Sequence, residues 1–140
     1  MRDFPGDTGQ IPSTTRVAVS HSPDIIPAGV NPVSNYQQLY TDNYDGPYDY
    51  YSNIESGGSY NYIYTRGKNL FAGAQTGKIY LYYSPSSVLL LPSTWTNNRI
   101  NCSNGSLYAN VSAAATNDIV VGDAPFYWAP PPLQPGQGHY

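Results

Sequence analysis

The stretch from Ser59 to Ser84, SYNYIYTRGKNLFAGAQTGKIYLYYS, constrains the fold more than any other part of the sequence. Its first arm alternates tyrosine with asparagine, isoleucine and threonine, and its second arm alternates tyrosine with isoleucine and leucine. Alternation of aromatic and β-branched residues with a period of two is typical of β-strands. Between the arms, Gly67, Gly73 and Gly77 supply the backbone freedom that a turn requires. The stretch therefore predicts a long β-hairpin.

The composition favours a single all-β domain. The 140-residue chain is long enough to bury a core and short for two domains. Its 13 glycines, 13 prolines and few charged residues disfavour long helices and favour short strands joined by turns. We expect an irregular arm over residues 1–12 and one β domain over residues 13–140. That domain includes a loop rich in Tyr and Asp (36–58) and a proline-rich exit (129–140).

Two runs of sequence carry a resemblance to a known family. RGKNLFAGAQTGKIYLYY, at residues 66–83, resembles the repeated core of immunoglobulin-like sandwich modules of the CARDB type in bacterial extracellular and cell-surface proteins. FYWAPPPLQPGQGHY, at residues 126–140, is similar to the approach to the closing strand in some bacterial members. The resemblance implies an antiparallel Ig-like β-sandwich on the cell surface or outside the cell. It implies no particular chemistry, because sandwich domains carry many unrelated functions.

The alternation assigns each side chain of the predicted strands to a face. We expect a sandwich of roughly seven to nine strands, with both inner faces contributing to the core. The predicted core residues are Ile63, Thr65, Ile79, Leu81, Tyr83, Leu89, Leu91, Trp95, Val120 and Phe126. Burial of Leu81 contributes roughly 1.5 to 3 kcal/mol. Leu81→Asp is therefore predicted to unfold the domain, and Tyr62→Ser is not.

The tyrosines of the opposite parity are predicted to form an interaction face on the sheet. The face consists of Tyr60, Tyr62, Tyr64, Tyr80 and Tyr82, flanked by Arg66 and Lys78. An aromatic patch of this size is seldom left in water on a monomer. We therefore predict a structural or interaction module that self-associates or docks on a protein partner. The alternative is a carbohydrate-binding module, in which sugar rings stack on the same tyrosines.

The loop rich in Tyr and Asp is a second candidate binding surface, because tyrosine combines a flat apolar ring with a hydrogen-bonding tip. Its candidate ligand residues are Tyr44, Asp45, Tyr48, Asp49 and Tyr50. The alternative is a surface loop whose rings lie on the sheet. An EF-type calcium loop is excluded, because Thr41 and Ser52 would stand where carboxylates are required. An irregular oxygen-ligand site stays open as an alternative, and we predict neither a metal nor a cofactor.

No catalytic signature is present in the sequence. Asp7-Thr8-Gly9, the triplet of aspartic proteases, follows Pro5 and Gly6 instead of an apolar strand, so it is interpreted as a turn. His21 and His139 lie at opposite ends, without further ligands at the spacing of a zinc site. We expect no enzymatic activity.

Charge and hydropathy limit the partners and the location. The net charge of −3 argues against nucleic acid as a partner. No apolar run is long enough to span a bilayer, and residues 1–15 lack the apolar segment of a signal peptide. We therefore expect no membrane insertion. We expect an extracellular or surface location, reached by a signal-independent route or after removal of a leader; the cytoplasm is the alternative.

The end of the chain predicts how copies could assemble. In the family that the chain resembles, a final strand follows residues similar to 135–140, whereas this chain stops at Tyr140. Either the sequence is a fragment of a longer protein, or one sheet keeps an open edge. An open sheet edge accepts a strand from another molecule through main-chain hydrogen bonds. Residues 1–12 and the proline-rich exit are candidates for donation to a neighbour in a head-to-tail assembly. The single Cys102 cannot form an internal disulfide, and an intermolecular bridge is an alternative.

Overall fold

The computed structural model describes residues 1–2, 7, 22–46, 54–84 and 95–132. These residues form mostly β-strands in antiparallel sheets, together with a short helix, which confirms the all-β class. The elements are β1 (Ile25–Pro27), α1 (Tyr36–Asp42), β2 (Asn61–Lys68), β3 (Gln75–Ile79), β4 (Leu81–Tyr82), β5 (Arg99–Ile100), β6 (Ala109–Ala113), β7 (Ile119–Val121) and β8 (Phe126–Trp128).

Strand β2 is the centre of the main sheet, with β1 along one edge and β7 and β8 along the other. All three pairings are antiparallel. Between β7 and β8, Gly122 keeps contact with β2 because its N–H donates to the carbonyl of Thr65 over 2.9 Å. A Cβ atom at position 122 would lie only 2.9 Å from the Cβ of Ala109. Glycine therefore permits the close approach of β6 to this part of the sheet.

The predicted hairpin between β2 and β3 is wrong. Strand β3 pairs with β6, and β4 pairs with β5, so the two arms belong to different sheets. Asn69, in the connection, binds a distant segment of the chain. Its N–H donates to Asp118 O over 2.9 Å, its carbonyl accepts from the N–H of Asn117 over 2.7 Å, and its Nδ2 donates to Ala115 O over 2.8 Å. These bonds draw the connection towards residues 115–118 instead of letting it close as a tight turn.

The main hydrophobic core lies between β2 and β8 on one side and β4, β5 and β6 on the other. Its buried members are Ile63, Leu81, Ile100, Cys102, Ala109, Ala124 and Phe126. The structure confirms that four of the predicted core residues are buried: Ile63, Thr65, Leu81 and Phe126. Three others are half-buried: Ile79, Tyr83 and Val120.

The remaining predicted core residues have different outcomes. Trp95 is 43% exposed, so its assignment to the core is wrong. It lies in a helical turn before β5, where no β alternation turns it inward. Leu89 and Leu91 lie outside the described residues.

Helix α1 covers the second face of β2, within the segment predicted to be a loop. It contributes Tyr40 to a smaller core with Ile26 and Tyr64, and Tyr36 and Leu39 pack against that core. The spacing of Tyr36, Leu39 and Tyr40 is that of an apolar stripe on a helix. The prediction that Tyr64 points into solvent is therefore wrong, since the helix leaves its side chain only 1% exposed.

Candidate functional site

The predicted interaction face is divided by the topology. Because β2 lies in a different sheet from β3 and β4, Tyr60 and Tyr62 do not form one ladder with Tyr80 and Tyr82. Tyr64 and Arg66 are buried, which contradicts their assignment to the face. The other predicted members fall into two separate surface groups, one on β2 and one on β3 and β4.

The group on β2 is a small aromatic stack. Strand β8 places Tyr127 opposite Tyr62, and the ring of Tyr127 also stacks on Tyr60. The Tyr60 and Tyr127 ring centroids lie 4.4 Å apart with an angle of 14° between the planes. The Tyr62 and Tyr127 centroids lie 4.9 Å apart at 44°. Tyr60 is 53% exposed, so this stack borders solvent.

The group on β3 and β4 is a row of three rings in contact with two cations. We call it the tyrosine row, and its members are Lys78, Tyr108, Tyr80, Arg99 and Tyr82. Lys78 Nζ lies 4.1 Å from the ring centroid of Tyr108, which lies 5.5 Å from that of Tyr80. Arg99 Cζ lies 5.3 Å from the Tyr80 ring and 5.5 Å from the Tyr82 ring. Arg99 Nη2 also donates to Tyr82 Oη over 3.3 Å.

The strand alternation explains why the row faces outward. Ile79 packs against the main core and Leu81 lies within it, so Lys78, Tyr80 and Tyr82 take the opposite face. Arg99 reaches the row because β5 pairs it with Tyr82. The sequence analysis missed Arg99 and Tyr108, since their positions depend on the register of β5 and β6 and not on any local motif.

A shallow hollow lies at one end of the row. Its volume is about 230 Å³, and it is lined by Tyr80, Tyr82, Tyr83, Ser84 and Trp95. The exposed position of Trp95 makes its ring part of this surface. Aromatic walls of this kind accept flat apolar faces, including the faces of sugar rings.

A wider polar depression adjoins the other end of the row, between helix α1 and the sheet of β3 and β6. Its volume is about 820 Å³, and its polar lining consists of Gln37, Thr76, Lys78, Asn110, Ser112 and Asp123. Asp123 accepts hydrogen bonds from the backbone N–H and the Nδ2 of Asn110, each over 2.8 Å. Lys78 belongs to both the depression and the tyrosine row.

Arginine and tyrosine also meet in the interior, in a set that we call the buried arginine cluster: Arg2, Asp24, Tyr44 and Arg66. Asp24 is fully buried, and its Oδ1 lies 2.8 Å from Arg2 Nη2 and 3.5 Å from Arg66 Nε. Arg2 Cζ lies 3.6 Å from the Tyr44 ring centroid, and Arg66 Cζ lies 5.2 Å from it. Arg2, which belongs to the predicted irregular arm, is thus packed against Asp24 and Tyr44.

Arg66 fastens the end of helix α1 to β2. Its Nη1 donates to the carbonyls of Tyr40 and Asn43, each over 3.0 Å, and its Nε donates to that of Pro23 over 3.1 Å. These carbonyls include groups at the helix end that have no intrahelical partner. Arg66 is therefore a structural residue and not part of a binding face.

Tyr44 has a structural position as well. Burial raises the pKa of its hydroxyl to about 12, and the nearby Asp24 carboxylate adds to this effect, whereas Arg2 and Arg66 lower the pKa. The assignment of Tyr44 to a ligand loop is wrong, because the ring is only 7% exposed. Asp45 is exposed and lies 3.3 Å from Arg2 Nη1. Tyr48, Asp49 and Tyr50 lie outside the described residues.

Other chemical groups are sparse in the part of the chain that the structure describes. Cys102 is buried in the main core, where loss of solvation raises the pKa of its thiol to about 11. A thiol held in this way is a poor nucleophile and is not placed to bridge to another molecule. Among the residues described, no three His, Cys, Asp or Glu side chains lie together as metal ligands. None of the helices described there has the length and apolarity to cross a bilayer.

The tyrosine row is thus the strongest candidate site, with the hollow and the polar depression at its two ends. Comparison of the chain with protein-family models, curated proteins and solved structures finds no match.

Proposed function

We propose that the chain is a non-catalytic interaction module that binds another copy of itself or another protein through the tyrosine row. The observation that carries the proposal is the row itself. It presents three aromatic rings and two cations on one surface whose opposite face builds the core. Tyrosine and arginine are enriched among the residues that dominate binding energy at protein interfaces.

The same proposal includes an Ig-like β-sandwich of roughly seven to nine strands, exposed on the cell surface or outside the cell. The position of the main core between β2 and β8 on one side and β4, β5 and β6 on the other supports a two-layered arrangement. Strand β3 pairs only with β6 among the described elements, and this supports a second contact by strand addition at its other edge.

The proposal is tested by replacing two rings of the row. We expect the wild-type chain to elute above its monomer mass in size-exclusion chromatography with light scattering, or to be retained by an immobilised protein partner. Tyr80→Ser with Tyr82→Ser removes both rings that hold Arg99 and should abolish that association. Tyr60→Ser is the matched control, because Tyr60 is an exposed tyrosine outside the row. Association that survives the double substitution would contradict the proposal.

The second candidate function is carbohydrate binding, favoured by the hollow that four aromatic side chains line. Its volume of about 230 Å³ is below the roughly 300 to 1,000 Å³ of enclosed small-molecule pockets, so it fits a single stacked sugar ring. In this case the chain stays monomeric and is retained on a glycan array. Trp95→Ala should then abolish retention, whereas it should leave protein association largely intact.

A further inference from the structure

We infer that the tyrosine row binds the carboxylates at the end of helix α1 in a second copy of this chain, so that copies join head to tail. This inference rests on the proposed function and names its partner and geometry. The two surfaces are the tyrosine row and the pair Asp42 and Asp45, which we call the helix-end acids.

The charges of the chain are segregated along its sequence. Residues 17–65 contain five Asp and Glu but no Lys or Arg, whereas residues 56–117 contain four Lys and Arg but no Asp or Glu. Two of the three exposed cations in the second segment, Lys78 and Arg99, lie in the tyrosine row. The row therefore contains two cations and no acid, on a chain whose net charge is −3, and the carboxylate of Asp123 lies in the depression that Lys78 also lines. A positive surface of this kind selects a negative partner.

The cations of the row are held in place but keep donors for a partner. Arg99 lies against two rings, and the only hydrogen bond of its guanidinium to the residues that the structure describes is from Nη2 to Tyr82 Oη. A guanidinium has five N–H donors in a fixed fork that matches a carboxylate, so most of its donors are available to a second molecule. Because the rings restrict the side chain, less rotamer entropy is lost on binding.

The helix-end acids are the complementary surface. Asp42 is the last residue of α1 and is exposed; its Oδ1 accepts from Gln38 Nε2 over 2.6 Å. Asp45 follows in the next turn, and its side chain is 89% exposed although Arg2 lies 3.3 Å away. Among the described residues, Asp42 bonds to Gln38 and Asp45 bonds to Arg2, and neither acid bonds to a member of the tyrosine row. The acids of one copy therefore stay accessible to the row of another.

The charges also decide the symmetry of the contact. In a two-fold dimer, the row of one copy would pack against the row of the other. The cations of both rows would then lie in the same interface and repel each other. A contact between the row of one copy and the acids of the next avoids this repulsion. Such a contact uses two different surfaces, so a dimer still has a free row at one end and a free pair of acids at the other. The assembly therefore grows with concentration beyond the dimer.

The test combines two charge-changed variants of the full chain. Arg99→Glu disables the row, and Asp42→Asn with Asp45→Asn disables the acids. Each variant alone should be monomeric at concentrations where the wild-type chain assembles, with an apparent Kd raised at least about tenfold. A 1:1 mixture should form a dimer and nothing larger, since the intact acids of the first bind the intact row of the second. Raising the salt from about 0.1 M to 1 M shortens the Debye length from about 10 Å to 3 Å and should weaken the wild-type assembly.

Matched charge changes elsewhere are the controls. Lys68→Glu alters an exposed cation outside the row, and Glu55→Lys alters an exposed acid near the start of β2 that is not one of the helix-end acids. Both should leave the apparent Kd within about threefold of the wild-type value. Circular dichroism establishes that every variant is folded.

Two outcomes would overturn the inference and separate it from the proposed function. If the acid variant assembles like the wild type while Tyr80→Ser with Tyr82→Ser does not, the row is the binding site but these acids are not its partner. If the wild-type chain stays monomeric at all concentrations, self-assembly is excluded, and binding through the row is then judged on retention by another protein.

Discussion

The buried arginine cluster and the tyrosine row contain the same types of residue, but one is closed to solvent and the other borders it. In the cluster, Arg66 donates to three backbone carbonyls and lies beside the Asp24 carboxylate. In the row, the guanidinium of Arg99 lies beside the rings of Tyr80 and Tyr82 and, among the described residues, donates only to the hydroxyl of Tyr82. Tyrosine beside arginine therefore does not by itself indicate a binding surface. What decides is whether carboxylates and carbonyls of the same chain satisfy the guanidinium.

The largest loss of stability is expected on replacing Asp24, whose carboxylate compensates the charges of the two buried arginines. Asp24→Asn keeps the shape of the side chain but leaves Arg2 and Arg66 without their buried counter-charge. Breaking a buried ion pair by removing one partner costs roughly 3 to 5 kcal/mol. Urea denaturation followed by circular dichroism should show a loss of this size in the free energy of unfolding. Asp42→Asn is the control, since an exposed Asp at the helix end should change that free energy by less than about 0.5 kcal/mol.

The next largest loss of stability is expected on replacing Arg66 by lysine, and the same change at Arg99 provides the comparison. Arg66→Lys keeps the charge but loses the planar fork that serves three carbonyls at once, and each carbonyl left buried without a donor costs about 1 to 3 kcal/mol. Arg99→Lys removes one surface hydrogen bond and should cost at most about 1 kcal/mol. Denaturation of the two variants under the same conditions measures the difference. Equal losses would mean that burial does not distinguish the two regions.

Sequence alternation correctly placed the residues whose environment depends on their own strand. Ile63, Thr65 and Leu81 are buried, and Tyr80 is exposed, as the parity of the strands predicts. Tyr64 breaks this rule, because parity defines two faces but does not reveal whether a second element covers the outer one. The apolar stripe of Tyr36, Leu39 and Tyr40 indicates the helix that covers this face, but it lies in a segment whose composition resembles a polar loop.

The rest of the site depends on contacts between distant parts of the chain. The register of β5 and β6 brings Arg99 and Tyr108 to the row, and no local pattern encodes that register. The long-range bonds of Asn69 to residues 115–118 separate the two arms that looked like one hairpin. Arg2 reaches Asp24 across 22 residues of sequence. Side-chain hydrogen bonds of this range can be satisfied in many alternative ways, so the sequence alone does not select one.

Alkaline pH should lower the stability of the fold through Tyr44, the tyrosine of the buried arginine cluster. Folding raises the pKa of Tyr44 from 10.0 to about 12, so the unfolded chain loses this proton first as the pH rises. The stability that depends on Tyr44 is therefore retained below about pH 10 and lost between about pH 10 and 12. Cys102, whose pKa rises from 9.0 to about 11, adds a loss that begins near pH 9. Tyr44→Phe should reduce the alkaline loss by roughly 1 to 3 kcal/mol relative to the wild type, because phenylalanine does not ionise.

The experiment is the urea midpoint as a function of pH for the wild type and for Tyr44→Phe. A wild-type curve with no decrease above about pH 10 would contradict the burial of Tyr44.

The smallest effect is the interaction energy within the row, which a double-mutant cycle isolates. The single variants Arg99→Ala and Tyr80→Ala and the double variant give the coupling between guanidinium and ring. A cation–π contact at an exposed site contributes about 0.5 to 1 kcal/mol, and one removed from water about 2 kcal/mol or more. In the buried pair, Arg2 Cζ lies 3.6 Å from the ring centroid of Tyr44. The same cycle on Arg2 and Tyr44 should therefore give the larger coupling. If the row gave the larger coupling instead, its arginine would already be committed to its own rings, and the free donors expected for a partner would be fewer.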